Sequence, residues 1–308
     1  MRYDDNLKCL RLEGGEPPKD YLLVLMMDRL LVELYDQAGS GKGKNSSVFV
    51  AMDPNSEEPD YVVKFCNDHD KLIGSIHEKK RMRFDREIRA LLKAVDYHKN
   101  AFLLNIVDHG TEKIGGYSFK YYVMEKADYD LGTFLAREKL SLQQKIVLCD
   151  GILKALMALH EIGIYHRDLK PDNIFFVGDQ WKIGDLGFIA FREEDFDIDD
   201  RTEKIGPTGL LSPEATNKAF ANRNNPEFEI DCIIDDKSDV FQLGKLFWYI
   251  FQGAIPTGQL IFDDFRIGDL DIFNNIIIPM LQYAKLRRPN IVQLDNNFEP
   301  IRKKFAVV

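Results

Sequence analysis

The sequence predicts an α+β chain in two parts, a small β-rich lobe followed by a larger and mainly helical one. Three observations carry this reading. Short β-branched and aromatic runs, bounded by turn residues, fill the first third. From about residue 129, apolar residues recur at helical spacing instead. One later segment, DKSDVFQLGKLFWYIFQG at 236–253, is apolar nearly all round after its first turn, as a helix at the centre of a domain should be. The change of character falls near EKAD, 125–128. The chain is therefore divided into an N-terminal extension with an extra strand (1–29), an N-lobe (30–126) and a C-lobe (127–308).

Each element has its own signal. The run YLLVLMMDRLLVELY breaks at Asp28 and Arg29, which gives strands at 21–27 and 30–37. The glycine- and serine-rich AGSGKGKNSS follows, and SVFVAM (47–52) and YVVKFC (61–66) continue as a meander. HEKKRMRFDREIRALLKAV (77–95) consists of good helix formers, with Phe84, Ile88, Leu91 and Leu92 at helical spacing. AFLLNIVDHG and YSFKYYVMEK read as two further strands. In SLQQKIVLCDGILKALMALHEIG (141–163), Ser141 suits an N-cap, and Ile146, Cys149, Ile152, Leu153, Leu156, Met157 and Leu159 form one broad face.

Composition narrows the function. With 45% hydrophobic and 30% charged residues over 308 positions, the chain reads as an ordinary globular protein. A formal charge of −9 argues against nucleic acid or an anionic membrane as the main partner, because both require a basic face. The four cysteines, Cys9, Cys66, Cys149 and Cys232, form no CxxC pair and suit reduced thiols in a cytoplasm. Residues 21–35 are too short to span a bilayer, and the first twenty lack the apolar core of a signal peptide, so a cytoplasmic location is expected.

The chemistry concentrates in IYHRDLKPDNIFF, 164–176, where two aspartates, a histidine, an arginine, a lysine and an asparagine sit between apolar runs. The order His166, Arg167, Asp168, Leu169, then Asn173, is H-R-D-L-x-x-x-N. Further residues follow the same pattern in chain order. GKGKNSSV matches G-x-G-x-x-G-x-V at Gly41, Gly43 and Val48, with Ser46 in place of the third glycine. YVVK supplies Lys64, REIRALL supplies Glu87, and IGDLGF supplies Asp185. SPEA (212–215) is similar to A-P-E, and SDVFQLG to D-x-W-x-x-G. From about residue 30 to 295 the chain resembles the eukaryotic-type protein kinase family, and Lys170, two residues after Asp168, is the form of its Ser/Thr branch.

The resemblance implies a kinase that transfers the γ-phosphoryl of Mg-ATP to a Ser or Thr hydroxyl of a protein substrate. Asp168 would then be the catalytic base, Lys170 the cation at the γ-phosphoryl, and Asn173 with Asp185 the Mg²⁺ ligands. Gly41, Gly43 and Ser46 would cover the phosphates through their amides, and Lys64, anchored by Glu87, would orient them. Val48, Val62, Met124 and Phe175, with the backbone of Glu125 and Ala127, are expected around the adenine. Asp130 is either a ribose ligand or a helix N-cap. Glu214 with Arg288, and Asp239 with the catalytic-loop backbone, are expected as scaffold, and His166 as packed support.

Some residues depart from the family pattern. Val62 replaces a usual alanine, and Phe175 a smaller aliphatic, which narrows the adenine slot. Seven acids fall between residues 193 and 203. One of them is expected to neutralise Arg167 without phosphorylation, the alternative being a solvated acidic loop. In GPTGLLSPE, Pro207 takes the place of a usual threonine and Thr208 follows, leaving open whether activation uses Thr202 or Thr208. The insertion at 216–235 is either a partner-binding segment or a loop. Two rival functions stand beside the active kinase: a pseudokinase that binds nucleotide or partners as a scaffold, and a small-molecule kinase of related fold.

Overall fold

A computed structural model describes residues 1–11, 24–26, 31–37, 45–52, 60–194, 198–199, 203–220 and 230–306. The chain divides into two compact units. One comprises Met1–Asp96 and Leu104–Lys126, the other Tyr97–Leu103 and Ala127–Val308. Among the described residues, no helix is long and apolar enough to cross a membrane.

The first unit begins with a hairpin of β1 (Arg2–Asp4) and β2 (Cys9–Arg11). An antiparallel six-stranded sheet follows, built from β3 (Val24–Met26), β4 (Leu31–Gln37), β5 (Ser46–Met52), β6 (Tyr61–Cys66), β7 (Ile106–Ile114) and β8 (Tyr117–Glu125). Its order is β3-β4-β5-β6-β8-β7, so the meander ends at β6 and β8 inserts between β6 and the edge strand β7. The period of 2 sends alternate side chains to opposite faces. One face carries Phe49, Ala51, Val63, Phe65, Phe119, Tyr121 and Val123, which form a core with Leu10 of the hairpin. Helix α1 (Ser75–Asp96) buries Phe84, Ile88 and Leu91, whereas Leu92, expected on the same face, is exposed.

The second unit opens with β9 (Tyr129–Asp130), α2 (Leu131–Arg137) and α3 (Leu142–Glu161). Short strands β10 (Ile164–Tyr165), β11 (Ile174–Val177), β12 (Gln180–Ile183) and β13 (Ala190–Phe191) come next. The helices α4 (Pro213–Phe220), α5 (Asp236–Gln252), α6 (Leu270–Ile272), α7 (Ile278–Met280) and α8 (Ile291–Lys304) complete it. Capping boxes start three of these helices: Ser141 with Gln144 on α3, Asp235 with Ser238 on α5, and Asn290 with Gln293 on α8. Helix α5 is buried on nearly every side, as its composition requires. Glu214 and Arg288 form a buried bidentate pair at 2.7 and 3.0 Å.

One strand expectation changes. The run AFLLNIVDHG is a strand only from Ile106 onward. Its apolar start instead turns and docks on β12, where the Phe102 carbonyl accepts from the Ile183 N–H at 2.9 Å. A short apolar run reports burial and not strand geometry, which is why the two halves looked alike. The strands expected at 21–27 and 30–37 are described over Val24–Met26 and Leu31–Gln37, and their remaining positions lie outside the described residues.

Candidate active site

In the β-rich unit the sheet face opposite the core carries the predicted nucleotide residues. The register sets Val48 opposite Lys64 and Val62 opposite Met124, and strand alternation adds Ser46 to the same face. Lys64 is buried, and its Nζ donates to Glu87 Oε1 and Oε2 at 2.8 and 3.1 Å. The Tyr122 hydroxyl donates to Glu87 Oε1 at 2.9 Å, a support that the sequence reading did not include. Ser46 begins β5 opposite Cys66. Gly41 and Gly43 lie outside the described residues. The Glu125 N–H is engaged by the Asn105 carbonyl at 3.0 Å.

In the helical unit the 166–173 loop is held by side chains of α5. Asp239 Oδ2 and Oδ1 accept from the backbone N–H groups of His166 and Arg167, both at 2.7 Å. Gln242, also missed in the sequence, accepts from the Leu169 N–H at 2.8 Å and donates to the Arg167 carbonyl at 3.0 Å. Its only sequence signal is a polar residue inside an otherwise apolar helix, at i+3 from Asp239. His166 is fully buried. Its Nδ1 accepts from the Asp168 N–H at 3.2 Å, which leaves Nε2 protonated toward the Gly184 carbonyl at 3.1 Å. That is the packed support expected of it.

Asp168 lies between two donors. Lys170 Nζ reaches its Oδ2 at 3.0 Å, and Asn173 Nδ2 reaches Oδ2 at 3.1 Å and the Asp168 carbonyl at 2.8 Å. Burial pushes the Asp168 carboxyl up, and this outweighs the opposing pull of Lys170. Burial works against the Lys170 ammonium, but Asp168, Asp185 and Asp172 together outweigh it and raise its pKa. Asp185 takes a left-handed backbone, φ 54°, and so does Arg167, φ 67°. Non-glycine residues held there cost about 1–3 kcal/mol each and cluster at functional sites.

Asp130 has the second of its two possible roles. It caps α2, with Oδ1 accepting from the Thr133 N–H and Oδ2 from its hydroxyl, both at 2.8 Å. Phe175 pairs with Asp130 across β11 and β9, and Ala127 lies just before β9.

Arg167 finds a carboxylate. Its Nη2 pairs with Asp199, and both side chains are buried. Its Nε donates to the Phe188 carbonyl at 2.6 Å. Lys218 of α4 is buried close to this pair; burial lowers its pKa, with Asp199 pulling the other way. Thr208 is exposed and accepts from Lys204, and Thr202 lies outside the described residues.

The donor set expected for a metal, Asn173 and Asp185, is one amide oxygen and one carboxylate. Asn173 uses its nitrogen on Asp168, so its Oδ1 is the atom left for a ligand role. Among the described residues, no group of three or more His, Cys, Asp or Glu could hold a metal ion. Hard oxygen ligands in such small number suit Mg²⁺, which takes the rest of its shell from phosphates and water.

A β-rich unit with a buried Lys–Glu pair, followed by a helical unit with an Asp–Lys–Asn loop, is the arrangement of protein kinases. The family model described as protein kinase domain matches residues 36–267, and the chain belongs to that family. It is 25% identical to the dual specificity protein kinase TTK of Mus musculus, over 62% of this chain and 24% of that protein. It is 25% identical to a Wee1-like protein kinase of Oryza sativa subsp. japonica, over 86% of this chain and 46% of the other. With the serine/threonine-protein kinase cds1 of Schizosaccharomyces pombe it shares 28% identity, over 70% and 44%. The chain thus spans less than half the length of these relatives.

Proposed function

We propose that the chain is an ATP-dependent protein kinase that transfers the γ-phosphoryl of Mg-ATP to a Ser or Thr hydroxyl of a protein substrate. The observation that carries this is Asp168, set between Lys170 and Asn173 on a loop whose backbone α5 holds in place. In this reading Asp168 aligns the acceptor hydroxyl and accepts its proton. A carboxylate raised by burial is a stronger base for that step. Lys170 lies beside it to stabilise charge on the transferred group. Lys64, held by Glu87, orients the phosphates, and the amides of Gly41, Gly43 and Ser46 cover them. In the β-rich unit Val48, Val62, Met124 and the Glu125 backbone are assigned to the base, and in the helical unit Ala127 and Phe175. Asn173 and Asp185 would hold Mg²⁺, which when bound neutralises phosphate charge.

Ser/Thr specificity is supported by Lys170 and by names among the relatives that include both serine/threonine and dual specificity kinases. A scaffold without turnover is weighed against by the pairing of Lys64 with Glu87 and by the bonds from Lys170 and Asn173 to Asp168. The test is transfer of labelled phosphate from Mg-ATP to a generic protein substrate, with phosphoamino-acid analysis of the product. Asp168→Asn is expected to lose roughly 10²–10⁴-fold in rate. Equal silence of wild type and variant across a broad substrate panel overturns the enzyme reading.

A further inference from the structure

The loop Asn67–Leu72 between β6 and α1 joins parts of the β-rich unit that are far apart in sequence. On one side the β1–β2 hairpin closes on it. The Leu10 N–H donates to Ser47 Oγ at 3.0 Å, and that hydroxyl donates to Asn67 Oδ1 at 2.6 Å, both bonds buried. Tyr3 stands edge-on to His69 with ring centroids 4.9 Å apart. Burial, with the Asp68 charge second, pushes the Tyr3 phenol up to about 12. On the other side α1 grips the same loop. The buried Asp68 carboxylate pairs with His77 and, at 3.4 Å, with Lys80. Arg81 Nη1 donates to the carbonyls of His69 and Leu72, each at 3.0 Å.

These three side chains belong to the first two turns of α1, and Glu87 lies less than two turns beyond Arg81. Phe84, Ile88 and Leu91 turn the apolar face of α1 to the core and fix its rotation broadly, while the exposed Lys120–Asp85 pair adds little. Turning or sliding the helix by one residue would strand Asp68 as a buried carboxylate without its partners, a strongly unfavourable loss. Asp68 therefore adds to the apolar face a directional, polar constraint on the register that brings Glu87 to Lys64.

We propose that Asp68 is a positioning residue for the Lys64–Glu87 pair, and that the hairpin of residues 1–11 acts with it by clamping the loop from which α1 departs. The proposal rests on the reading that Lys64 orients the nucleotide phosphates. It assigns the β1–β2 hairpin, residues 1–11, to the support of Lys64.

The test uses the full chain with Asp68→Asn, which keeps the side-chain shape, and with Tyr3→Ala. Hydrogen exchange over residues 75–90 is expected to quicken in both, with exchange in α3 unchanged. The kcat/KM for Mg-ATP is expected to fall roughly tenfold in Asp68→Asn, the size of a modest misplacement of a catalytic group. In a Glu87→Gln background, Asp68→Asn should cost less than about twofold more, because both act through Lys64. Additive losses, or unchanged exchange in α1, overturn the proposal. If the wild type itself transfers no phosphate, the kinase reading fails, and the exchange measurement alone decides the positioning role.

Discussion

A guanidinium buried as deeply as that of Arg167 must find its acceptors inside the protein, because an unpaired buried charge is among the costliest defects a fold can carry. Seven acids in the nearby segment made a carboxylate partner legible in the sequence, but not that it is Asp199, since such choices depend on how a loop folds back. Asp199→Asn is expected to cost about 3–5 kcal/mol, as a broken buried pair does, read from urea unfolding. Phosphatase-treated wild type is expected to keep full activity, and dependence on phospho-Thr202 would contradict this. Asp168 gives a second expectation. It works as a base only when ionised, and burial raises it, so the acid limb of kcat lies above the ordinary aspartate range. Activity is complete above that limb and is lost as pH falls through it. Lys170→Met removes the cation that holds Asp168 down and moves the limb to higher pH, which a kcat–pH profile measures.

At the scale of elements, legibility followed length and capping. Helix α3 was readable because Ser141 precedes twenty residues with one apolar face, and the structure adds the return bond from Gln144. Ser141→Ala is expected to cost about 1 kcal/mol in thermal or urea unfolding. The β1–β2 hairpin was not readable, because its strands are three residues each and partly charged. Its signal is the turn at Asp4, whose Oδ1 accepts from the N–H groups of Asn6 and Leu7 at 3.0 Å. Gly244 in α5 sets propensity against packing. Alanine there gains about 1 kcal/mol of helix propensity. Its Cβ would lie 2.8 Å from Met280 Cβ, which is fixed to the backbone of α7, and 3.0 Å from Leu281 Cδ2. Overpacking of that kind costs about 1–3 kcal/mol, so Gly244→Ala is expected to lower stability, measurable as a lower urea midpoint.

Over the whole chain, the order of the motifs was legible and their closure in space was not. Lys64, Glu87, Asp168, Asn173 and Asp185 announced themselves by collinear spacing. The supports Tyr122, Gln242 and Asp68 did not, because each acts across a fold that only the folded chain brings together. Among the long-range ties, Glu214–Arg288 spans 74 positions. Burial works to raise Glu214, but the bonds from Arg288 and Ser238 prevail and lower its pKa. The sign is therefore that of a depressed carboxyl: its contribution is complete above the ordinary glutamate range and is lost as pH falls through the lower folded value. Chemical unfolding of the full chain is expected to show this acid loss, and Glu214→Gln, about 3–5 kcal/mol less stable at neutral pH, should flatten it.

The buried contact between Arg167 and Asp199 also bears on how such a protein is governed in time. A phosphate is written and erased by other enzymes, whereas Asp199 is laid down at translation and stays. With its counter-ion built into the polypeptide, Arg167 is neutralised from the moment the loop folds, and no second enzyme has to supply the charge.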